Sequence, residues 1–287
     1  MNRNWIYAGL MAAGLALLVA GPCLAADECT EIYGAGGTKI GLATGSPGSL
    51  GLVKALAEAF NAKNNSAICW RKAGSGASLT LLRDKKVDLV MVHAPAAEKK
   101  AVEEGWAADR TLIGSNEFYI VGPKEDPANI SDAKTVAEAY KRIAAARAKF
   151  FSRGDNSGTH KKEKEIWEKA AVTPEGAWYI VTKDFMTATL RRADKETGYF
   201  MTDSSTWIAE KKHLSGLVIL FKGDPFLVNT YHALTVPPGA TQGSKLASEF
   251  VKFVASEEGQ RIVRDYGKDK HGEGLYNDAQ YAQKYDK

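Results

Sequence analysis

Cysteine is scarce in this chain: three among 287 residues, at positions 23, 29 and 69. Three thiols this far apart cannot build a soft-metal site, and the five histidines show no close metal-ligand spacing. A strong charge of one sign is also missing. The formal net charge is +4 with a pI near 8.7, and the lysines are interspersed with glutamates. That excess is too thin to imply a nucleic-acid partner. No internal repeat, low-complexity tract or long linker interrupts the chain. A long apolar run occurs once, from about Ile6 to Ala20, and it is shorter than the ~20 residues a membrane-spanning helix needs.

What is present fits a folded, exported protein. The hydrophobic fraction is 45% and the charged fraction 25%, ordinary for a globular chain of one large or two average domains. Arg3, the apolar run, the Gly21-Pro22 break and the small residues of Cys23-Leu24-Ala25-Ala26 read as a leader over residues 1–26. Its cleavage is expected after Ala25 or Ala26, with release into the periplasm. Cleavage removes Cys23. Cys29 and Cys69 are then expected to pair as a disulfide in an oxidising compartment. Two free thiols, one buried in Ile68-Cys69-Trp70, are the alternative.

Short apolar strands alternate with amphipathic helical patterns. Strands are expected at 39–43, 67–72, 87–93, 118–122, 199–201 and 217–221, with a return strand at 233–236. Helices are expected at 50–60, 98–104, 136–149, 161–170, 187–197, 244–256 and 258–266. This order predicts an α/β chain of two lobes, each a mostly parallel sheet flanked by helices and joined by crossing strands. Residues 27–117 and 230–287 form lobe 1, and residues 118–229 form lobe 2.

Two glycine- and hydroxyl-rich turns each precede a helical pattern: Thr44-Gly45-Ser46-Pro47-Gly48-Ser49, and Ser152-Arg153-Gly154-Asp155-Asn156-Ser157-Gly158-Thr159-His160. A helix start leaves backbone N–H groups without partners and favours negative charge. Two such starts in different halves of the chain, one carrying an arginine, suit opposing jaws around a small anion.

Three segments carry a family likeness: Val90-Met91-Val92-His93-Ala94-Pro95-Ala96-Ala97-Glu98-Lys99-Lys100, Phe118-Tyr119-Ile120-Val121-Gly122-Pro123-Lys124-Glu125-Asp126-Pro127, and the Arg153 turn through Lys161-Lys162-Glu163. Together they resemble the periplasmic tungstate-binding proteins of ABC importers, over nearly the whole of the chain after its leader. The resemblance implies a type II periplasmic-binding fold, a bound tetrahedral oxyanion with no other cofactor, and an inner-membrane ABC permease as partner. In that family the contacts come from a Thr-Thr-Thr-Ser loop after the first strand and from the arginine of an Arg-Gly-Asp turn. Arg153 matches. The first loop departs, reading Ala43-Thr44-Gly45-Ser46-Pro47-Gly48-Ser49, and that departure bears on which anion fits.

An oxyanion needs donors, not a general base. The candidates are the hydroxyls of Thr44, Ser46 and Ser49, with Gly48 letting the backbone approach, and a second cradle at Ser75 and Gly76. Plain helix capping is the alternative for Ser46 and Ser49, as is a structural turn for Ser75-Gly76. Across the cleft stand Arg153, Asn156, Ser157 and Thr159, with Asp155 expected to orient the arginine. The loop holding Ser204 and Ser205 is a further candidate. A cleft of donors alone is expected to disfavour hydrogen phosphate, which needs an acceptor. Tungstate or molybdate is the expected ligand, with sulfate, phosphate or a small carboxylate as the alternative. The protein is expected to be a monomer that binds without catalysing. A serine hydrolase using Ser157, His160 and Asp155 is the remote alternative, since the nucleophile-elbow pattern is missing.

Overall fold

The computed structural model describes residues 29–286; the leader expected over residues 1–26 and its expected cleavage point lie outside them. In chain order the strands and helices are β1 (Glu31–Tyr33), β2 (Thr38–Thr44), α1 (Ser46–Ser49), α2 (Leu52–Asn61), β3 (Ser66–Lys72), α3 (Ser75–Arg83), β4 (Leu89–Val92), α4 (Pro95–Glu103), β5 (Ala108–Pro123), α5 (Val136–Ala146), β6 (Phe150–Ser152), α6 (Gly158–Lys169), β7 (Tyr179–Val181), α7 (Met186–Lys195), β8 (Tyr199–Asp203), α8 (Ser204–Glu210), β9 (Leu217–Phe221), β10 (Val228–Thr235), α9 (Ser244–Ala255), α10 (Glu257–Asp265), α11 (Lys268–His271) and α12 (Ala279–Ala282).

The strands follow the order β1-β3-β2-β4-β10-β5-β8-β6-β7, with β9 also on β5. Parallel pairing joins β3, β2 and β4 in one lobe, and β7, β6 and β8 in the other. Antiparallel pairing joins β10 to β4 and β5, β5 to β8 and β9, and β1 to β3. The sheets are therefore mixed. The parallel strands expected from the alternating pattern are those that carry the loops facing the cleft. The antiparallel ones are the crossing strands β5 and β10, which run back and forth between the lobes, and the edges. β5 pairs with β10 over residues 108–117 and with β8 over Phe118–Val121, so one strand belongs to both lobes.

Local chemistry sets the elements. β4 is apolar throughout because both its faces are covered: Leu89 and Met91 enter one core, Val90 and Val92 another. The helix expected over 50–60 is α2, which starts two residues later because Gly51 adopts a φ of +92° between α1 and α2 and packs against Tyr266. α5 stops at Ala146, where Arg147 turns left-handed, so the chain can re-enter the sheet as β6. The second core gathers Phe150, Phe151, Phe200 and Leu190 with the Tyr140–Trp167 pair, whose rings lie 4.3 Å apart. Cys29 and Cys69 form a disulfide, which fastens the chain beside the β1–β3 pair.

Candidate functional site

The segments that follow β2, β3, β4, β6, β7 and β8 converge between the lobes, at the carboxyl ends of the parallel strands. They enclose a cavity of about 30 Å³, room for about two or three waters or one small polyatomic ion. The lobes touch around it. A side chain on Gly74 would meet Ser157, one on Gly76 would meet Asn156, and one on Gly158 would run into the His93 ring.

Arg153 lines the cavity and is 4% exposed. Its Nε donates to the Asp184 carbonyl at 3.2 Å and its Nη2 to Asp155 Oδ2 at 2.5 Å. Asp155 thereby orients the guanidinium, while Nη1 has no protein acceptor among the described residues. Lys72 reaches the cavity from the other lobe, its Nζ 4.3 Å from the Phe185 ring centre. Two cations thus flank one small space.

Backbone donors supplement them. α3 begins behind Gly74 and α7 behind Phe185, and neither helix has a side-chain cap. Their first-turn N–H groups remain open beside the cavity that Ser75, Met186 and Thr187 line. α6 is capped by Ser157, whose Oγ accepts from the His160 amide at 3.3 Å. Since Oγ accepts there, the Ser157 proton is left for the cavity. Ser75 is alike: it accepts from the His93 amide at 3.2 Å and keeps its own proton free.

His93 contributes no charge. The Leu275 carbonyl can only accept, so Ser205 donates to it (2.6 Å) and accepts from Asn116 Nδ2 (2.8 Å). Asn116 Oδ1 then accepts from Asn229 Nδ2 (2.7 Å), and Asn229 Oδ1 accepts from His93 Nδ1 (2.8 Å). The chain places the proton of the neutral ring on Nδ1. Burial drives the His93 pKa down to about 4, against the Asn229 bond, which raises it. Asp203, 1% exposed, stands behind the wall and accepts from Ser46, Thr206 and Asn116. Burial raises its pKa above the usual range, against those hydrogen bonds and Arg153.

Of the residues expected at the site, Ser46, Ser49, Ser75, Arg153 and Ser157 line the cavity. The others do not. Thr44 is fully buried and its hydroxyl donates to the Met91 carbonyl at 2.7 Å. Gly48 lies flat against the Trp70 indole. Gly76 and Asn156 form the seam between the lobes. Thr159 is buried with its hydroxyl unpartnered. Ser204 accepts from the Glu117 amide, and Ser205 belongs to the chain that orients His93. Sequence reasoning missed Lys72, Asp203 and the α7 start, whereas Thr206, in the candidate loop with Ser204 and Ser205, does line the cavity. The α7 start does carry a signal: a helix opening on Phe185 without a capping residue needs another acceptor for its amides.

A family model described as the PBP superfamily domain matches residues 34–258. The chain belongs to the PBP superfamily. It is 36% identical over 222 residues to a candidate ABC transporter anion-binding protein of Haloferax volcanii, covering 75% of this chain and 65% of that one. It thus spans just under two thirds of that relative's length. It is 34% identical over 207 residues to the tungstate-binding protein TupA of Peptoclostridium acidaminophilum, covering 71% of this chain and 72% of TupA. Among solved structures, the tungstate ABC transporter protein from Geobacter sulfurreducens superposes with a TM-score of 0.73 at 38% identity, covering 81% of this chain and all of the other. This PBP-superfamily chain shares the two-lobed α/β architecture of that structure.

Proposed function

We propose that the protein is the periplasmic solute-binding component of an ABC importer, capturing a tetrahedral oxyanion, tungstate or molybdate, between its lobes. One observation carries this reading: Arg153 and the uncapped starts of α3 and α7 face one small cavity of about 30 Å³ between the lobes. Buried positive charge and open amides suit a small dianion, and the volume leaves no room for a sugar or a peptide. The names of the relatives at 34–38% identity support the same ligand class.

The protein acts by binding, without chemistry. His160 meets Ser157 through its backbone amide, while its ring Nδ1 accepts from the Asn156 amide at 3.0 Å, so the imidazole is not poised to activate the serine. A dianion contacting both lobes favours the closed shape, which a membrane permease then reads. The leader expected over residues 1–26 assigns this work to the periplasm, with the protein as a monomer.

A second reading, another tetrahedral anion such as sulfate or phosphate, rests on the divergent first loop, where Thr44 is committed to Met91. Titration calorimetry with tungstate, molybdate, sulfate and phosphate separates the two. Saturable binding of one tungstate or molybdate per chain supports the proposal, and failure to bind any tetrahedral dianion overturns it.

A further inference from the structure

Asp203 governs two of the hydroxyls in the cavity wall. It caps α8, accepting from the Thr206 amide at 2.8 Å. Its Oδ2 accepts from Thr206 Oγ1 at 3.0 Å and from Ser46 Oγ at 3.2 Å. Ser46 follows β2 in one lobe and Asp203 ends β8 in the other, so the second contact crosses the cleft.

A hydroxyl has one proton to give. With both protons directed at Asp203, Ser46 and Thr206 turn lone pairs toward the cavity they line. The wall is therefore not made of donors alone, contrary to the sequence-based expectation. A fully deprotonated dianion is repelled by those lone pairs. For a hydroxyl to turn toward it, Asp203 must lose a donor just as a second negative charge arrives. A buried carboxylate in that position gains a proton.

The surroundings leave Asp203 as the group that responds. Arg153 is the opposing charge. Tyr231 and Tyr276 feel Asp203, and burial holds both far above the usual tyrosine range, so both stay neutral. Asn116, Ser46 and Thr206 do not titrate. Burial already pushes the Asp203 carboxyl upward in the absence of ligand.

Resting on the oxyanion reading above, we propose that Asp203 is a proton-linked positioning residue that sorts oxyanions by their own protonation. When a fully deprotonated tetrahedral dianion enters, Asp203 takes one proton from solvent onto Oδ2. The new O–H donates to the Thr206 oxygen, so the Thr206 proton turns away from Asp203 into the cavity, and the Ser46 proton swings to the ligand. A singly protonated oxyanion such as hydrogen phosphate brings its own proton, donates it to the Ser46 lone pair, and leaves Asp203 ionised.

Glu163 is the competing proton acceptor, because burial raises its pKa to about 7. The experiment is tungstate titration calorimetry in buffers of different ionisation enthalpy, between about pH 6.5 and pH 8.5. The expected result is uptake of about one proton per tungstate, with affinity falling by up to about tenfold per pH unit. Hydrogen phosphate at about pH 8 should bind with no uptake. Asp203→Asn should bind tungstate without uptake and with a flat pH profile, whereas Glu163→Gln should keep the uptake. Tungstate binding to the unaltered protein with no proton uptake overturns the proposal, and this holds even if Asp203→Asn fails to fold. Equal uptake with hydrogen phosphate, or uptake that survives Asp203→Asn but vanishes in Glu163→Gln, also overturns it. Absence of binding by every oxyanion is a distinguishable outcome: it overturns the function itself, and this inference with it.

Discussion

A methyl group on Gly76 would stand 2.7 Å from the carbonyl oxygen of Asn156 and 2.8 Å from its side-chain nitrogen, although the two residues belong to different lobes. The lobes are therefore closed to backbone contact, and only a residue without a side chain fits the seam. Gly76→Ala should hold the lobes slightly apart. We expect tungstate affinity to fall about tenfold, or about 1.4 kcal/mol, because closure no longer completes the site. The melting temperature without ligand should stay close to that of the parent. An unchanged dissociation constant would show that this seam plays no part in capture.

Arg153→Ala should weaken tungstate binding by about 30- to 100-fold, on the scale of a lost charge-assisted contact of about 2–3 kcal/mol. Arg153→Lys should recover part of it, since it restores the charge without the planar fork. Circular dichroism should show the fold intact in both. Affinity within a factor of two of the parent in Arg153→Ala would remove the arginine from the ligand's contacts.

Glu163 lies on the buried face of α6, accepting from Tyr179 at 2.7 Å and from the Trp167 indole at 3.3 Å. Burial raises its pKa from 4.5 to about 7. Below the unfolded value both states are protonated and no difference arises. As pH climbs toward 7 the unfolded chain ionises first, so this residue lowers stability across that window and levels off above it. A shift of this size corresponds to about 3 kcal/mol. Glu163→Gln should therefore raise stability above pH 7 and flatten its decline between pH 5 and 7, as read by urea unfolding at several pH values. A parallel loss of stability at every pH would contradict the assignment.

The Cys29–Cys69 disulfide closes a loop across a separation of 40 residues. In the chain-entropy picture a loop of that size is worth about 3–4 kcal/mol. Cys29→Ser should lower the urea midpoint accordingly while leaving tungstate affinity nearly unchanged, because neither cysteine lines the cavity. A large affinity loss at full occupancy of the folded state would mean that β1 reaches the site.

Much of this architecture was legible in the residue pattern. β4 announced itself as a fully buried strand, β9 matched its expected span, and the Arg153 turn was readable as a helix start, which borders the cavity. The hydroxyl inventory was legible only in part. Ser75 and Ser157 sit where their turns suggested, yet Thr44, with the same chemistry, faces the Met91 carbonyl. A sequence places a hydroxyl near a strand end, but the tilt of that strand decides which way its proton points. Asp203 stayed hidden for a related reason. A carboxylate repels the ligand when it faces it, and its importance emerges only once Ser46, far away in sequence, is seen to reach it across the cleft.

The two cores also differ in when they can be finished. Every buried residue of the second core falls between Phe118 and Leu227, so that lobe can consolidate as soon as its own stretch has been synthesised. The first core is begun early by Ile40, Leu42 and Phe60 but is closed by Phe250, Val254, Val263 and Tyr276. Phe60 meets Phe250 edge to face at 5.1 Å, so its apolar face stays uncovered while all the intervening chain is made. The half that starts first is completed last, and the growing chain is most exposed to aggregation in the interval between them.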